Sequence, residues 1–432
     1  MSSYKRVTKT VRAATAAVAL TGLLGLGACA AADRTPGSAA GTSTAPAGHV
    51  VPGAALDALA QRDVDAGAPG VVIRIDDGRR PPVTVAKQAD WTRADHRLSA
   101  DDQFRMGSNT KTMVATVALQ LVAEHRLKLT DPVEKWLPGA VANGQKVTVR
   151  MLLNHTSGLP DYFFDLERGR FDTDVLNAVT GKVQRAWAPR QLLATAAKYP
   201  VLFAPGTNYS YSNTNYVAVG LILERVTGDS VSHLLRSRIL RPLGLNDAYL
   251  ATDGRSRDGD HLAHGYEPDA ANVAPILKKF GTPAGTQFYG PARPGHVDVT
   301  GYDPTYTWAA GAMIATPRDW DRFLSALLSG RLLPKAQLAQ MRTTVVDPTS
   351  QGTVRYGLGL MTYTNRCGTV WGHTGGIPGF GSQNYTDATG QKTVSVVTTT
   401  QFGAKTDAIA VADQRVVDAA VCTMLGKPIP AS

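Results

Sequence analysis

Three short stretches of this 432-residue chain carry side chains able to do nucleophilic chemistry together. The first is Ser108-Asn109-Thr110-Lys111. Behind it, apolar residues recur at helical spacing (Met113, Val114, Val117, Ala118, Leu121, Val122), which predicts a helix over 112–127. Ser108 is then expected at or near the N-cap, with Lys111 one turn in and on the same face. A hydroxyl, an amine and the free N–H groups of a helix start supply what a serine alkoxide requires: a base and oxyanion donors. The same residues also read as a plain cap and a solvated lysine. The second stretch is Tyr211-Ser212-Asn213, a phenol and a carboxamide two apart in a loop; Asn213 reads equally as the cap of the next helix. The third is His373-Thr374-Gly375-Gly376 after the strand-like Thr369-Val370-Trp371, where small residues let another backbone approach closely. Taken alone, His373 is as well explained by a structural role. Trp308, in Tyr306-Thr307-Trp308-Ala309-Ala310-Gly311, fits a cleft wall or the core. Three cysteines and nine scattered histidines lack metal-ligand spacing, so neither a metal nor another cofactor is expected.

Elements at both ends of the chain must position these groups. Leu56–Ala66 reads as a helix. Gly70–Ile75 and Pro82–Ala86 read as a hairpin, with Asp76-Asp77-Gly78 in its turn. Helical segments are expected over Thr148–Asn154, Arg190–Lys198 and Asn215–Thr227, and loops with some strand over Thr252–Val299. Pro317–Ser329 is an amphipathic helix pattern. Strands are expected at Tyr356–Met361, Thr369–His373, Gly381–Thr386 and Thr393–Thr400, the last two split by the turn Asp387-Ala388-Thr389-Gly390, and a closing helix at Asp407–Leu425. Strands at both ends with helices between predict an α/β (α+β) fold. Its antiparallel sheet would come from N- and C-terminal segments, covered by the terminal helices, with a mostly helical insert at about 129–300.

The first residues read as targeting. Lys5, Arg6, Lys9 and Arg12 precede an apolar run, Ala13–Leu26, that ends in Leu26-Gly27-Ala28-Cys29. This is similar to a bacterial lipobox, which implies cleavage before Cys29 and lipid attachment to it; an ordinary secretory signal is the alternative. The expected plan is a signal over 1–28, a tether over 29–49 and a catalytic domain over 50–426. The basic excess then falls to 41 basic against 35 acidic residues, too scattered for nucleic acid. In an exported chain the two remaining cysteines, Cys367 and Cys422, suggest one disulfide, with unpaired thiols as the alternative.

Ser-x-x-Lys at 108–111, Tyr-x-Asn at 211–213 and His-Thr-Gly at 373–375 occur in this order, flanked by Phe104-Arg105-Met106-Gly107, Asn154-His155-Thr156-Ser157-Gly158-Leu159, Pro205-Gly206-Thr207 and Tyr356-Gly357-Leu358-Gly359-Leu360. Over roughly residues 50–425 the chain resembles the penicillin-recognising serine hydrolases: class C β-lactamases, exported DD-carboxypeptidases, and related esterases and D-peptidases. It is most similar to the DD-carboxypeptidases, which share the His-Thr-Gly motif and a disulfide like Cys367–Cys422. The resemblance implies Ser108 as nucleophile, with Lys111 and Tyr211 handling its proton, either one being the formal base. It implies Asn213 as substrate ligand, and the N–H groups of Ser108 and Gly376 as oxyanion donors. His373 would donate toward Tyr211 or a substrate carboxylate, and Thr374 would contact that carboxylate.

Two positions depart from the carboxypeptidase pattern. Met361 stands where an arginine binds the substrate's terminal carboxylate, and Gly376 where a hydroxyl residue follows His-Thr-Gly. Losing that arginine removes a bidentate pair of about 1.5–3 kcal/mol; Arg366 is near enough in sequence to replace it. The expected activity is a D-alanyl-D-alanine carboxypeptidase-like hydrolase acting on peptidoglycan stem peptides and binding β-lactams. The alternatives are an esterase or D-peptidase, a β-lactamase, and a non-catalytic penicillin-binding lipoprotein. The expected location is the outer face of the cell membrane. Cys29→Ser should move the protein from the membrane to the soluble fraction; retention on the membrane would exclude the lipid anchor.

Overall fold

The computed structural model describes residues 52–163, 171–252, 261–279, 281–403 and 406–429. The expected signal, tether and Cys29 lie outside them. Eight strands form one antiparallel sheet. From edge to edge they run Val83–Gln88, Gly70–Asp76, Thr393–Thr398, Phe380–Thr386, Gly368–Ile377, Met361–Asn365, Val354–Tyr356 and Val345–Val346. The N- and C-terminal segments therefore form one sheet, as expected, joined where Gly70–Asp76 pairs with Thr393–Thr398.

Alternation along these strands makes two cores. Val71, Ile73, Ile75, Val394 and Val396 face one side, where helices Pro52–Asp65 and Asp407–Met424 cover them. Val72 and Val397 face the other, toward helices Thr110–Ala123, Asn213–Thr227 and Pro317–Leu328. On that second side Ser395 donates to Asp321 (2.7 Å), which also lies 3.2 Å from Arg74. The helical layer includes Val133–Trp136, Val149–Leu153, Thr173–Val179, Pro189–Ala196 and Val231–Leu235. Cys367 is bonded to Cys422, tying the turn before the His-Thr-Gly strand to the C-terminal helix.

Two expectations need correction. Tyr356–Met361 is not one strand. The chain turns back at Gly357–Leu360, where the Gly357 N–H donates to the Leu360 carbonyl (2.7 Å). Gly359 has φ +71°, and a Cβ there would come within 2.4 Å of the Ala115 methyl. This corner thus needs glycine to fit against the Thr110–Ala123 helix. Within 252–299 there is also a ten-residue helix, Ala270–Lys279, hidden by its internal Pro275.

The terminal helices share a buried acid pair. Asp63 is fully buried. Burial, then the charge of Asp413 and the hydrogen bond to it, push the Asp63 carboxyl far above the usual aspartate range. Stability tied to that held proton is complete below the usual range and is lost as pH rises through the raised value. Asp63→Asn keeps a polar partner for Asp413 but has no proton to lose. Its melting temperature should fall less than that of the unaltered protein between neutral and mildly alkaline pH. Parallel melting curves would show that the pair holds no such proton.

Candidate active site

Ser108 is not a helix cap. It sits in a 3-10 turn, Gly107–Asn109, leading into the Thr110–Ala123 helix. The turn is fixed from outside. The Asn109 carboxamide donates to the Met106 carbonyl (3.1 Å) and Ser382 Oγ (2.8 Å), and Thr110 Oγ1 donates to the Gly107 carbonyl (2.7 Å). Gly107 has φ +51°, and a Cβ there would lie 2.6 Å from the Gly376 nitrogen. Glycine is therefore what lets the nucleophile turn touch the His-Thr-Gly strand.

Lys111 is fully buried. Its Nζ donates to Ser108 Oγ (3.0 Å), Asn213 Oδ1 (2.8 Å) and the Ala310 carbonyl (2.7 Å), using its three donors. Burial draws the amine down to about 7, and Asp161 opposes the shift. The Tyr211 ring lies beside it, with Nζ 4.9 Å from the ring centroid. Burial pushes the Tyr211 phenol well up, which Ser108 partly opposes. The Tyr211 hydroxyl is buried and makes no hydrogen bond of good geometry among the described residues. Burial thus pulls the amine toward neutrality and holds the phenol protonated.

Asn213 opens the Asn213–Thr227 helix rather than capping it; Ser212 holds the cap position. Both its backbone N–H and its carboxamide donate to Asp161 Oδ2, each at 2.9 Å. Asp161 was not marked in the sequence, because a lone aspartate after Leu159-Pro160 reads as a turn residue. His155 was visible only as a flank. Its Nδ1 takes the Ser212 N–H (3.2 Å) and faces the Asn215 carboxamide (3.0 Å), and its ring lies 4.2 Å from that of Tyr211. His373 does not bond Tyr211 either. Its Nε2 meets the Tyr356 hydroxyl (2.8 Å) and its Nδ1 the Thr374 carbonyl (2.5 Å). Burial, reinforced by Lys111, depresses it to about 3, so it stays neutral.

The His-Thr-Gly strand ends in a two-residue turn, Pro378-Gly379, closed by the Ile377–Phe380 pair. The closing pair of such a hairpin is hydrogen-bonded, so the next pair, Gly376–Gly381, is not. The Gly376 N–H thus points away from that neighbour. On its other side the Met361–Asn365 strand stops pairing at Gly372, which leaves this N–H outside the sheet ladder, with its nitrogen close to the Gly107 turn. Thr374 Oγ1 lies 4.0 Å from the Met361 sulfur. Arg366 sits in the turn at the strand's opposite end, about 20 Å away at 3.3 Å per residue, and does not replace the missing cation. The Trp308 ring packs against Gly220 in the helical core. Asp95, His264 and Asp298 lie close enough to hold a cation, but the Arg293 guanidinium already fills the group, 2.6 Å from Asp95 and 3.8 Å from Asp298.

A serine beside a desolvated amine, next to a strand-end N–H on a helix-flanked antiparallel sheet, defines the penicillin-recognising class of serine hydrolases. The chain belongs to the Beta-lactamase family, whose profile matches residues 56–418. It is similar to the D-stereospecific amidohydrolase from Streptomyces sp., at 36% identity over 83% of this chain and 98% of that one, with TM-score 0.68. It is similar also to the D-amino acid amidase from Ochrobactrum anthropi SV3, at 27% identity over 85% and 96%, TM-score 0.70. Penicillin-binding protein 4* of Bacillus subtilis is 27% identical over 293 residues, 66% of this chain and 57% of that protein. The chain spans between half and three-fifths of the first curated relatives it matches.

With Lys111 as the base, acylation by an activated ester would require the neutral amine, and its rate should rise with pH through a limb near about 7 and level off above it. Tyr211→Phe should lower the rate about 10²–10⁴-fold and leave that limb in place. A limb that moves with Tyr211→Phe would make the phenol the base.

Proposed function

We propose that the chain is a serine hydrolase of D-configured amides that works through an acyl-Ser108 ester. Ser108 Oγ attacks the carbonyl while its proton passes to Lys111 Nζ. The N–H groups of Ser108 and Gly376 hold the oxyanion. The C–N bond breaks as Tyr211 protonates the leaving amine and is itself reprotonated from Lys111. Water then releases the acid by the reverse relay. Asn213 binds the acyl part, fixed by Asp161. His373 keeps Tyr356 and the strand in place and carries no charge to the substrate.

The observation that carries this reading is the thioether of Met361 against Thr374, where a carboxylate-terminated peptide requires a cation. The two amidases named above support it. A DD-carboxypeptidase is the second reading, favoured by the His-Thr-Gly motif and the similarity to a penicillin-binding protein. On either reading β-lactams acylate Ser108. An exported, lipid-anchored location is part of the proposal and rests on the residues before Ala30.

The test is turnover of D- and L-phenylalanine amide, of a peptide ending in D-Ala-D-Ala, and covalent labelling by a fluorescent penicillin. The expected result is release of ammonia from the D-amide, labelling lost in Ser108→Ala, and weak activity on the D-Ala-D-Ala peptide that Met361→Arg raises. Strong D-Ala-D-Ala cleavage by the unaltered protein would favour the second reading. Labelling that survives Ser108→Ala would overturn both.

A further inference from the structure

One polar side chain at this site has no part in the relay. Gly376 carries no side chain, and the space a side chain would fill is occupied. A Cβ at Gly376 would lie 2.3 Å from Gln401 Nε2, 2.5 Å from its Cδ and 2.6 Å from its Oε1. At the glycine paired with it, Gly381, a Cβ would meet Thr398 Oγ1 (2.6 Å) and the Thr400 carbonyl (3.3 Å) first, and the same Oε1 only at 3.6 Å. The Gln401 carboxamide therefore lies over Gly376 and reaches the edge of Gly381.

It is placed firmly and left unused. Gln401 is 6% exposed, and its carboxamide makes no hydrogen bond to another described residue, whereas its backbone N–H donates to Glu267 (2.9 Å). The fully buried Glu267 also takes the N–H groups of Phe402 (2.8 Å) and Gly379 (2.6 Å), with Thr400 Oγ1 at 3.3 Å. One carboxylate thus bolts the loop carrying Gln401 to the hairpin turn after Gly376. Strand alternation puts a side chain at 376 on the same face as Thr374, about 7 Å further along. The carboxamide stands on that face, next to Gly376, the proposed oxyanion donor.

We infer that Gln401 is a specificity-determining residue that binds the leaving half of the substrate through a neutral carboxamide. It takes a residue whose own carbonyl is an amide, in an internal or amide-capped D-peptide, rather than a free carboxylate. A carboxamide offers one donor pair and one acceptor and matches another amide in both. A carboxylate has only acceptors and would leave Gln401 Oε1 facing an anion, with the thioether of Met361 supplying no compensating charge. The inference rests on the proposed acyl-Ser108 reaction and extends it from ammonia to a larger leaving group.

The test uses three substrates with one acyl half: a simple amide that releases ammonia, a dipeptide ending in a carboxamide, and the same dipeptide ending in a carboxylate. The unaltered protein should prefer the carboxamide to the carboxylate by about tenfold or more in kcat/KM, as one well-made hydrogen-bond pair implies. Gln401→Leu has similar volume and keeps the backbone bond to Glu267. It should erase that preference and leave simple-amide turnover unchanged. Equal losses on all three substrates would make Gln401 merely structural, and a loss confined to the carboxylate would make it an anion ligand; either overturns the inference. No turnover of the simple amide would reject the proposed reaction instead. Calorimetric binding of the two dipeptides to Ser108→Ala still decides the Gln401 contact in that case. There, equal affinity of the two ends, or no binding of either, counts against it.

Discussion

The constraint on which the site depends is the burial of a single amine. Lys111 is removed from water, and an uncompensated buried charge costs several kcal/mol. Two responses are available, and this molecule uses both. Its pKa falls to about 7, and its three donors are met by Ser108, Asn213 and the Ala310 carbonyl. Those acceptors come from positions 3, 102 and 199 residues away along the chain. The helical layer must hold two remote segments against one side chain, and the sheet must hold the His-Thr-Gly strand beside the same serine turn. The neutral fraction of the amine is thus a product of tertiary structure.

That dependence explains what was legible in the sequence. The sheet could be read because period-two alternation in Gly70–Ile75 and Thr393–Thr400 is a local signal. The three motifs could be read because each keeps its reactive residues within four positions. Ser108 lies near the expected cap, one residue before Asn109, but its 3-10 turn could not be read because it is set by Gly107 against Gly376, far apart in sequence. The Tyr356 partner of His373 went unread for a related reason. Tyr356 reaches it only because the Gly357–Leu360 loop breaks what reads as one strand and places two short strands side by side. Asp161 and Glu267 gave no signal at all. Each is a single carboxylate in a loop-like context, and its meaning lies in the N–H groups that the fold delivers to it.

The two halves of the cleft are built differently. Around Ser108, Lys111, Tyr211 and Asn213 nearly every polar atom is tied to another element, so a substitution there disturbs several contacts at once. The Gly376 side is made of Thr374, a thioether, two glycines and one carboxamide on a loop secured from behind by Glu267. Side chains there can change without disturbing the amine, because the loop's anchors are backbone N–H groups that any residue but proline supplies. On the proposed reading, acyl-transfer chemistry and leaving-group preference are therefore physically separable. The motifs that identify the chemistry say little about the leaving group for that reason, and the residues that differ from the carboxypeptidase pattern, Met361 and Gly376, both fall on the separable side.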